Sequence, residues 1–337
     1  MRQVVLQAPR RVDVVDAEPG APGADQAEVR LRWAGICGSD LSAYRGTSPL
    51  VTYPRVLGHE LLVDVLRCDS RPALVGRRAV VEPLLPCGRC RACRLGRYNC
   101  CVDLRVLGVH ADGGMRERAV LPADRLYAVP GGLPDEVAAL AEPTAIAYHA
   151  VQRSGVDAGS LAVVMGAGAI GQLIAQLLLR ARGCRVIIAD VDPWRLEVAG
   201  AMGAAPVRSE PGVLREAVAS ATDGEMADVV FEATGQAQCT RMATDLVAHA
   251  GRIVLIGWNR GPVEFDSVTL MRKEADLIPS RNSAAAFGPV LHLLAAGVVD
   301  ARVMITHRFA LDEARAALEL LDTGGGRALK VLISGGA

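Results

Sequence analysis

The sequence predicts an α/β protein, a β-rich domain with a doubly wound parallel-sheet domain inserted before its last segment. Three observations carry this. Up to about residue 150, short apolar or alternating runs are broken by Gly and Pro. From about 160, apolar runs bounded by glycines alternate with helical stretches, the pattern of a parallel sheet covered on both faces. From about 283 the chain offers a helix, a strand, a second helix and a last strand, a tail expected to rejoin the first domain.

In order, VVLQAP, VDVVDA and EVRLRWAGI read as strands, with EPGAPGAD as a turn cluster between them. In the second domain LAVVMG is a strand and IGQLIAQLLLRAR a helix. CRVIIAD is the next strand and PWRLEVAGAMG the next helix. ADVVFEATG, GRIVLIGW and EADLIPS are further strands. The tail gives the helices AAAFGPVLHLLAAG and LDEARAALELLDTG and ends on the strand ALKVLIS. The expected domains are 1–148, 149–282 and the returning segment 283–337.

The 337 residues are too many for one small core, and 51% are hydrophobic, enough for two substantial ones. Lys+Arg and Asp+Glu both total 37, so no global charge draws the chain to nucleic acid or to a membrane surface. MRQVVLQAPRR has no continuous apolar segment of the secretory kind, and no apolar stretch reaches membrane-span length. The expected location is the cytoplasm. In that reducing setting the nine cysteines read as metal ligands and buried thiols rather than disulfides.

Cys87, Cys90, Cys93 and Cys101 read C-x2-C-x2-C-x7-C, a spacing that satisfies a closed, thiolate-only structural zinc site. A second constellation is chemically different. Cys37 stands in GICGSD, and His59-Glu60 ends YPRVLGHE. With a carboxylate from Glu60 or from Glu142, in AEPTAIAYHA, this mixed set suits a zinc ion that keeps a position open for substrate. Each carboxylate also reads as a buried salt-bridge partner. Ser39, two residues past Cys37, is placed to accept the proton of a substrate hydroxyl, or to cap the following helix.

Gly166, Gly168 and Gly171 form G-x-G-x-x-G between a strand and the helix that Ala169 and Ile170 open. That context suits a dinucleotide pyrophosphate at a helix N-terminus. Asp190 ends the next strand at the spacing of a ribose-binding acid, which favours NAD over NADP. The alternative for Asp190 is a cap on the helix that starts at Pro193. Two zinc sites and a nicotinamide cofactor together predict a zinc-dependent dehydrogenase.

GICGSD, GHE, the cysteine lobe, EPTAI, GAGAIG and EATG resemble the zinc-dependent medium-chain dehydrogenase/reductase superfamily across essentially the whole chain. YPRVLGHE, NCC, LGVHADGGM and IPSRNS resemble its sugar-acid and polyol branch, the L-galactonate, L-gulonate or L-idonate 5-dehydrogenases. The resemblance implies a GroES-like catalytic domain and an inserted Rossmann domain, oxidation of a secondary alcohol to a ketone, and a homodimer or homotetramer. It implies that Cys37, His59 and a glutamate hold the catalytic zinc, and that Ser39 begins the proton relay. It places Thr234, Gly257 and Ser280 at the cofactor, and His110, Arg281 and Asn282 near the substrate or nicotinamide; Arg195, read from its place just past Asp190, is the cofactor-site residue that counts against the NAD preference. Arg281 reads equally as a partner for a substrate carboxylate and as a cofactor or inter-domain contact. One position departs from the family: Ser42 stands where many relatives carry the histidine at the relay's outer end.

CGSDLSAYRG also resembles aminocyclitol-forming dehydrogenases, and a threonine-like amino alcohol is a further substrate class. The rival from another class takes CGRCRACRLGR as a zinc ribbon on nucleic acid; the balanced charge and the second metal constellation argue against it.

Overall fold

The computed structural model describes residues 1–259, 261–324 and 327–336. It divides into two compact units. One comprises Met1–Glu142, Phe287–Ala295 and Ala301–Ala337; the other comprises Pro143–Ala286 and Ala296–Asp300.

The first unit is β-rich. Its largest sheet has seven strands, in the order Leu126–Ala128, Arg78–Val81, Glu60–Cys68, Gln26–Gly35, Lys330–Ser334 and Ile305–Ala310, with Arg118–Pro122 also on Gln26–Gly35. The tail strand Lys330–Ser334 lies antiparallel to Gln26–Gly35, so Leu332 faces Gly35, and Gly35 in turn pairs with Glu60. Alternation along Gln26–Gly35 sends Ala27, Val29 and Leu31 into a core shared with Leu61, Val63, Val65, Val331 and Ile333. Burying each of these Val, Leu and Ile side chains stabilises by about 1.5–3 kcal/mol.

The second unit holds a six-stranded parallel sheet. Its order is Ala205–Arg208, Arg185–Asp190, Leu161–Met165, Ala227–Glu232, Val247–Leu255 and Asp276–Pro279. The chain starts in the middle, at Leu161–Met165, builds outward to one side and then crosses to the other. All five residues of that first strand are buried, as a strand covered on both faces requires. Such a reversal opens a crevice at the carboxyl ends of the strands, where dinucleotides bind.

The structure differs from the sequence reading at several points. The strand Ala205–Arg208 was not expected; it is an edge strand with three of its four residues exposed, so no apolar run announces it. The stretch read as one helix is an α-helix over Ala169–Gln176 and a wider π turn over Leu177–Arg182, ended by left-handed Gly183. The units exchange the chain at Glu142/Pro143, inside the helix Ala141–Ser154, rather than at 148/149, and at Ala286/Phe287 rather than 282/283. A continuous helix carries no turn residues to mark a border. The excursion Ala296–Asp300 joins the second unit, where Gln176 holds Asp300: its Oε1 accepts from Asp300 N at 2.7 Å and its Nε2 donates to Asp300 O at 3.3 Å.

Candidate active site and metal centres

Cys37 is the N-cap of the helix Gly38–Tyr44, and its backbone N–H donates to Asp40 Oδ2 at 2.9 Å. The Gly35–Glu60 pairing sets this turn beside the GHE segment. Gly35 has a specific reason to be glycine, because a Cβ there would overlap Glu60 Oε2. Gly58, at φ +101°, turns the chain into His59, and the backbone of the loop 107–115 packs against it at Gly108, Gly113 and Met115. Ligand atoms of Cys37, His59 and Glu60 lie within 4.8 Å of one another.

The surroundings assign each group a task. His59 Nδ1 is 3.5 Å from Asp40 Oδ1, and its Nε2 is 3.4 Å from Ser39 Oγ. Ser39 is exposed. Glu60 is almost wholly buried, and both its oxygens accept from Lys330 Nζ at 2.7 Å; Nζ also donates to Ile36 O at 3.2 Å. Glu142 is buried as well, yet its Oε2 has no hydrogen-bond partner among the described residues. Burial pushes its carboxyl up to about 7, only partly offset by the nearby His59. A thiol, an imidazole and a carboxylate oxygen that lacks a counterpart form a donor set that suits zinc.

The second cluster is the lobe. Sulfurs of Cys87, Cys90, Cys93 and Cys101 lie within 4.8 Å of one another, and Cys100 is outside the set. Cys87 N donates to Cys101 Sγ at 3.2 Å, and backbone N–H groups of Cys93 and Val102 draw the Cys90 thiol down to about 6. All nine cysteines are free thiols, so the set suits one tetrahedral ion. The lobe is latched by Glu82, which is fully buried and accepts from Tyr98 Oη at 2.7 Å and Tyr127 Oη at 3.1 Å.

In the second unit the glycine loop has the shape its sequence predicts. Gly166 sits at φ +98°, Gly168 is the N-cap of the helix beginning Ala169-Ile170, and a Cβ on Gly171 would overlap the Gly166 carbonyl oxygen. Asp190 ends its strand with both oxygens accepting backbone N–H groups, from Ala167 at 2.7 Å and Asp192 at 2.9 Å. It therefore braces the glycine loop. The cap on the following helix is Asp192, which accepts from Trp194 N at 2.9 Å, so the capping alternative for Asp190 is set aside. Arg195 Nε is buried with no hydrogen-bond partner, 3.6 Å from Asp192 Oδ2. Thr234 and Gly257 flank the end of Ala227–Glu232, and buried Ser280 follows Asp276–Pro279 with its Oγ unpartnered among the described residues.

Cys37, Ser39, His59, Glu60 and Glu142 thus come together in one unit, with Asp40 and Lys330 that the sequence reading did not name. The expected cofactor residues gather at the carboxyl edge of the other unit's sheet. His110 lies in the loop that packs on Gly58; its Nδ1 accepts from Val106 N at 3.2 Å, which leaves the proton on Nε2. Arg281, exposed, and Asn282, at φ +46°, belong to the second unit.

Comparison with known proteins agrees with this architecture. Residues 23–131 match the alcohol dehydrogenase GroES-like domain, and residues 169–296 match the zinc-binding dehydrogenase domain. The L-galactonate-5-dehydrogenase of Escherichia coli K12 is 34% identical, over 92% of this chain and 92% of its own. The alcohol dehydrogenase RspB of Escherichia coli CFT073, solved with NADH, superposes with a TM-score of 0.93 at 33% identity, over 99% of both chains. A zinc-binding dehydrogenase of Sinorhizobium meliloti 1021, solved with NADP, gives a TM-score of 0.91 at 30% identity, over 99% of this chain and 98% of that one. No helix among the described residues is long and apolar enough to cross a membrane. The chain belongs to the zinc-type alcohol dehydrogenases of the medium-chain dehydrogenase/reductase superfamily, in the branch that contains the sugar-acid and polyol dehydrogenases.

Proposed function

We propose that this enzyme oxidises a secondary alcohol of a sugar acid or polyol to a ketone, with NAD as acceptor and zinc at the Cys37 site. The observation that carries the reading is the clustering of half-buried Cys37 with buried His59 and Glu60, beside the buried Glu142 whose Oε2 has no partner among the described residues. Zinc supplies Lewis acidity to a substrate hydroxyl, and NAD supplies the hydride acceptor.

The protein's own groups do the rest. Cys37, His59 and Glu142 are the ligands, and Glu60 stays ion-paired to Lys330. Asp40 Oδ1 faces His59 Nδ1 at 3.5 Å, and its charge favours the ring orientation in which Nε2 would be the atom offered to the metal. Ser39 Oγ takes the hydroxyl proton, and being exposed it passes that proton to water. Ser42, at the usual histidine position, turns its Oγ to Gly38 O at 3.0 Å and takes no part. Glu142→Gln is expected to lower zinc from about two per chain to about one, while Glu60→Gln retains both. Equal retention in the two variants would remove Glu142 from the ligand set.

Asp190 supports NAD, because its charge at the strand end repels a 2′-phosphate. The exposed Leu277 on the edge strand Asp276–Pro279, with Val268 and Met271 nearby in sequence, supports a homodimer or homotetramer, which sedimentation velocity reads directly. A cytoplasmic location belongs to the same reading. The function is tested by following NADH formation over aldonates, polyols, cyclitols and amino alcohols, with NAD and NADP compared by kcat/KM. Activity confined to cyclitols or amino alcohols, or a strong NADP preference, would overturn the corresponding part.

A further inference from the structure

We infer that Glu232, a buried carboxylate that touches neither metal cluster, makes the second unit favour the oxidised form of its nicotinamide cofactor. The inference rests on the NAD reading above and concerns only the chain's own charge.

Glu232 ends the strand Ala227–Glu232 and is fully buried. Its Oε1 accepts from Thr234 N at 2.7 Å, from Gly235 N at 3.1 Å and from the Thr234 hydroxyl. Every one of these contacts is a donation to the carboxyl, the pattern of the ionised form, which accepts only. No Lys, Arg or His pairs with it among the described residues. The charge is therefore held by dipoles and is not cancelled by a cation.

Its place in the sheet gives that charge a direction. The ribose acid Asp190 lies at the end of Arg185–Asp190, and the pyrophosphate loop follows Leu161–Met165. A dinucleotide laid across the crevice in that order carries its nicotinamide half toward the next strand, Ala227–Glu232. The two loops there are built around Glu232. A Cβ on Gly257 would come within 2.9 Å of Glu232 Oε2, and a Cβ on Gly166 would meet Thr234 Cγ2 at 3.0 Å, so the Glu232 turn abuts the glycine loop. The oxidised ring carries one positive charge and the reduced ring none. An uncancelled anion under that half of the crevice stabilises the first and leaves the second nearly untouched. In an alcohol-oxidising enzyme this draws NAD in and eases NADH out. Glu232 is thus a positioning residue whose charge, beyond its hydrogen bonds, sets the balance between the two cofactor forms.

The test is the pair of dissociation constants on the zinc-loaded full chain, NADH by fluorescence titration and NAD by calorimetry. Glu232→Gln keeps the shape and removes the charge. The ratio Kd(NAD)/Kd(NADH) is expected to rise about fivefold, the scale of one screened unit charge. Both constants rising together would show a structural role alone and overturn the inference. Glu232→Asp keeps the charge and shortens the reach. It is expected to weaken both forms with the ratio within twofold of the parent; a ratio change there, or in a folded Gln variant a ratio that does not move, also overturns it. A parent protein that binds neither form would instead overturn the NAD reading.

Discussion

Lys330→Met is expected to destabilise the metal-free protein by about 3–5 kcal/mol, read by urea unfolding. Lys330 and Glu60 are 3% and 1% exposed, and Nζ serves both carboxylate oxygens. Burial is the largest single influence and opposes the ammonium, but the Glu60 charge and hydrogen bond, joined by the charges of Cys37 and Glu142, together outweigh it and hold its pKa above the ordinary value. A group raised in this way contributes its stability below the unfolded pKa, about 10.4 for Lys, and loses it only as pH climbs through the higher folded value. The pair is therefore intact at neutral pH. Met matches the length of Lys and fills the strand, so the loss is chiefly that of a buried Glu60 charge without its cation. Two further measurements separate this from simple repacking. Lys330→Met combined with Glu60→Gln is expected to fall well short of the summed single effects, since the double variant buries no lone charge. Zinc is expected to reduce the penalty of Lys330→Met, because a nearby dication stabilises the orphaned carboxylate. A single-variant effect below about 1 kcal/mol, or full additivity, would mean that the pair contributes little.

How legible this protein is in its sequence depends on distance along the chain. The glycine loop, the strand Leu161–Met165 and the four-cysteine lobe are local patterns, and each physical constraint falls within a few residues. Cys37 and His59 are legible because thiol and imidazole are few and chemically distinctive. Lys330 was missed although ALKVLIS carries a signal, a lone ammonium inside an otherwise apolar strand that has to find a buried anion. Which anion it finds depends on the pairing of the tail strand with Gln26–Gly35, a register no local pattern encodes. The necessity of Gly35 is likewise visible only once Glu60 lies across from it. Asp40 lies in GICGSD, but its two roles, holding the Cys37 N–H and facing His59, need the helix turn and the strand together. Glu82 shares this character: its partners Tyr98 and Tyr127 are 16 and 45 residues away along the chain.

Two glycine variants separate packing from cofactor approach in the loop. At Gly171, within the helix Ala169–Gln176, intrinsic propensity favours alanine by about 1 kcal/mol. Packing opposes it. The new Cβ would overlap the Gly166 carbonyl oxygen and lie 3.0 Å from the Gly166 carbonyl carbon, backbone atoms fixed by the strand before them. Helix and loop have to separate, so Gly171→Ala is expected to lose about 1–3 kcal/mol of stability and to weaken NADH at least about tenfold. Gly168 is the control. Its φ of −71° suits any residue, and the nearest atom to a Cβ there is Arg195 Nη1 at 4.0 Å. Gly168→Ala meets no packing obstacle and should cost no more than about 1 kcal/mol, the preference for glycine over alanine at an N-cap, yet it sets a methyl where a pyrophosphate meets the backbone. NADH affinity is expected to fall about tenfold or more with little loss of stability. Wild-type stability in Gly171→Ala would contradict the packing argument, and wild-type NADH affinity in Gly168→Ala would remove the loop from the cofactor site. Only a loop that is packed at one glycine and open at the other gives both results, which makes the pair a sharper test than either substitution alone.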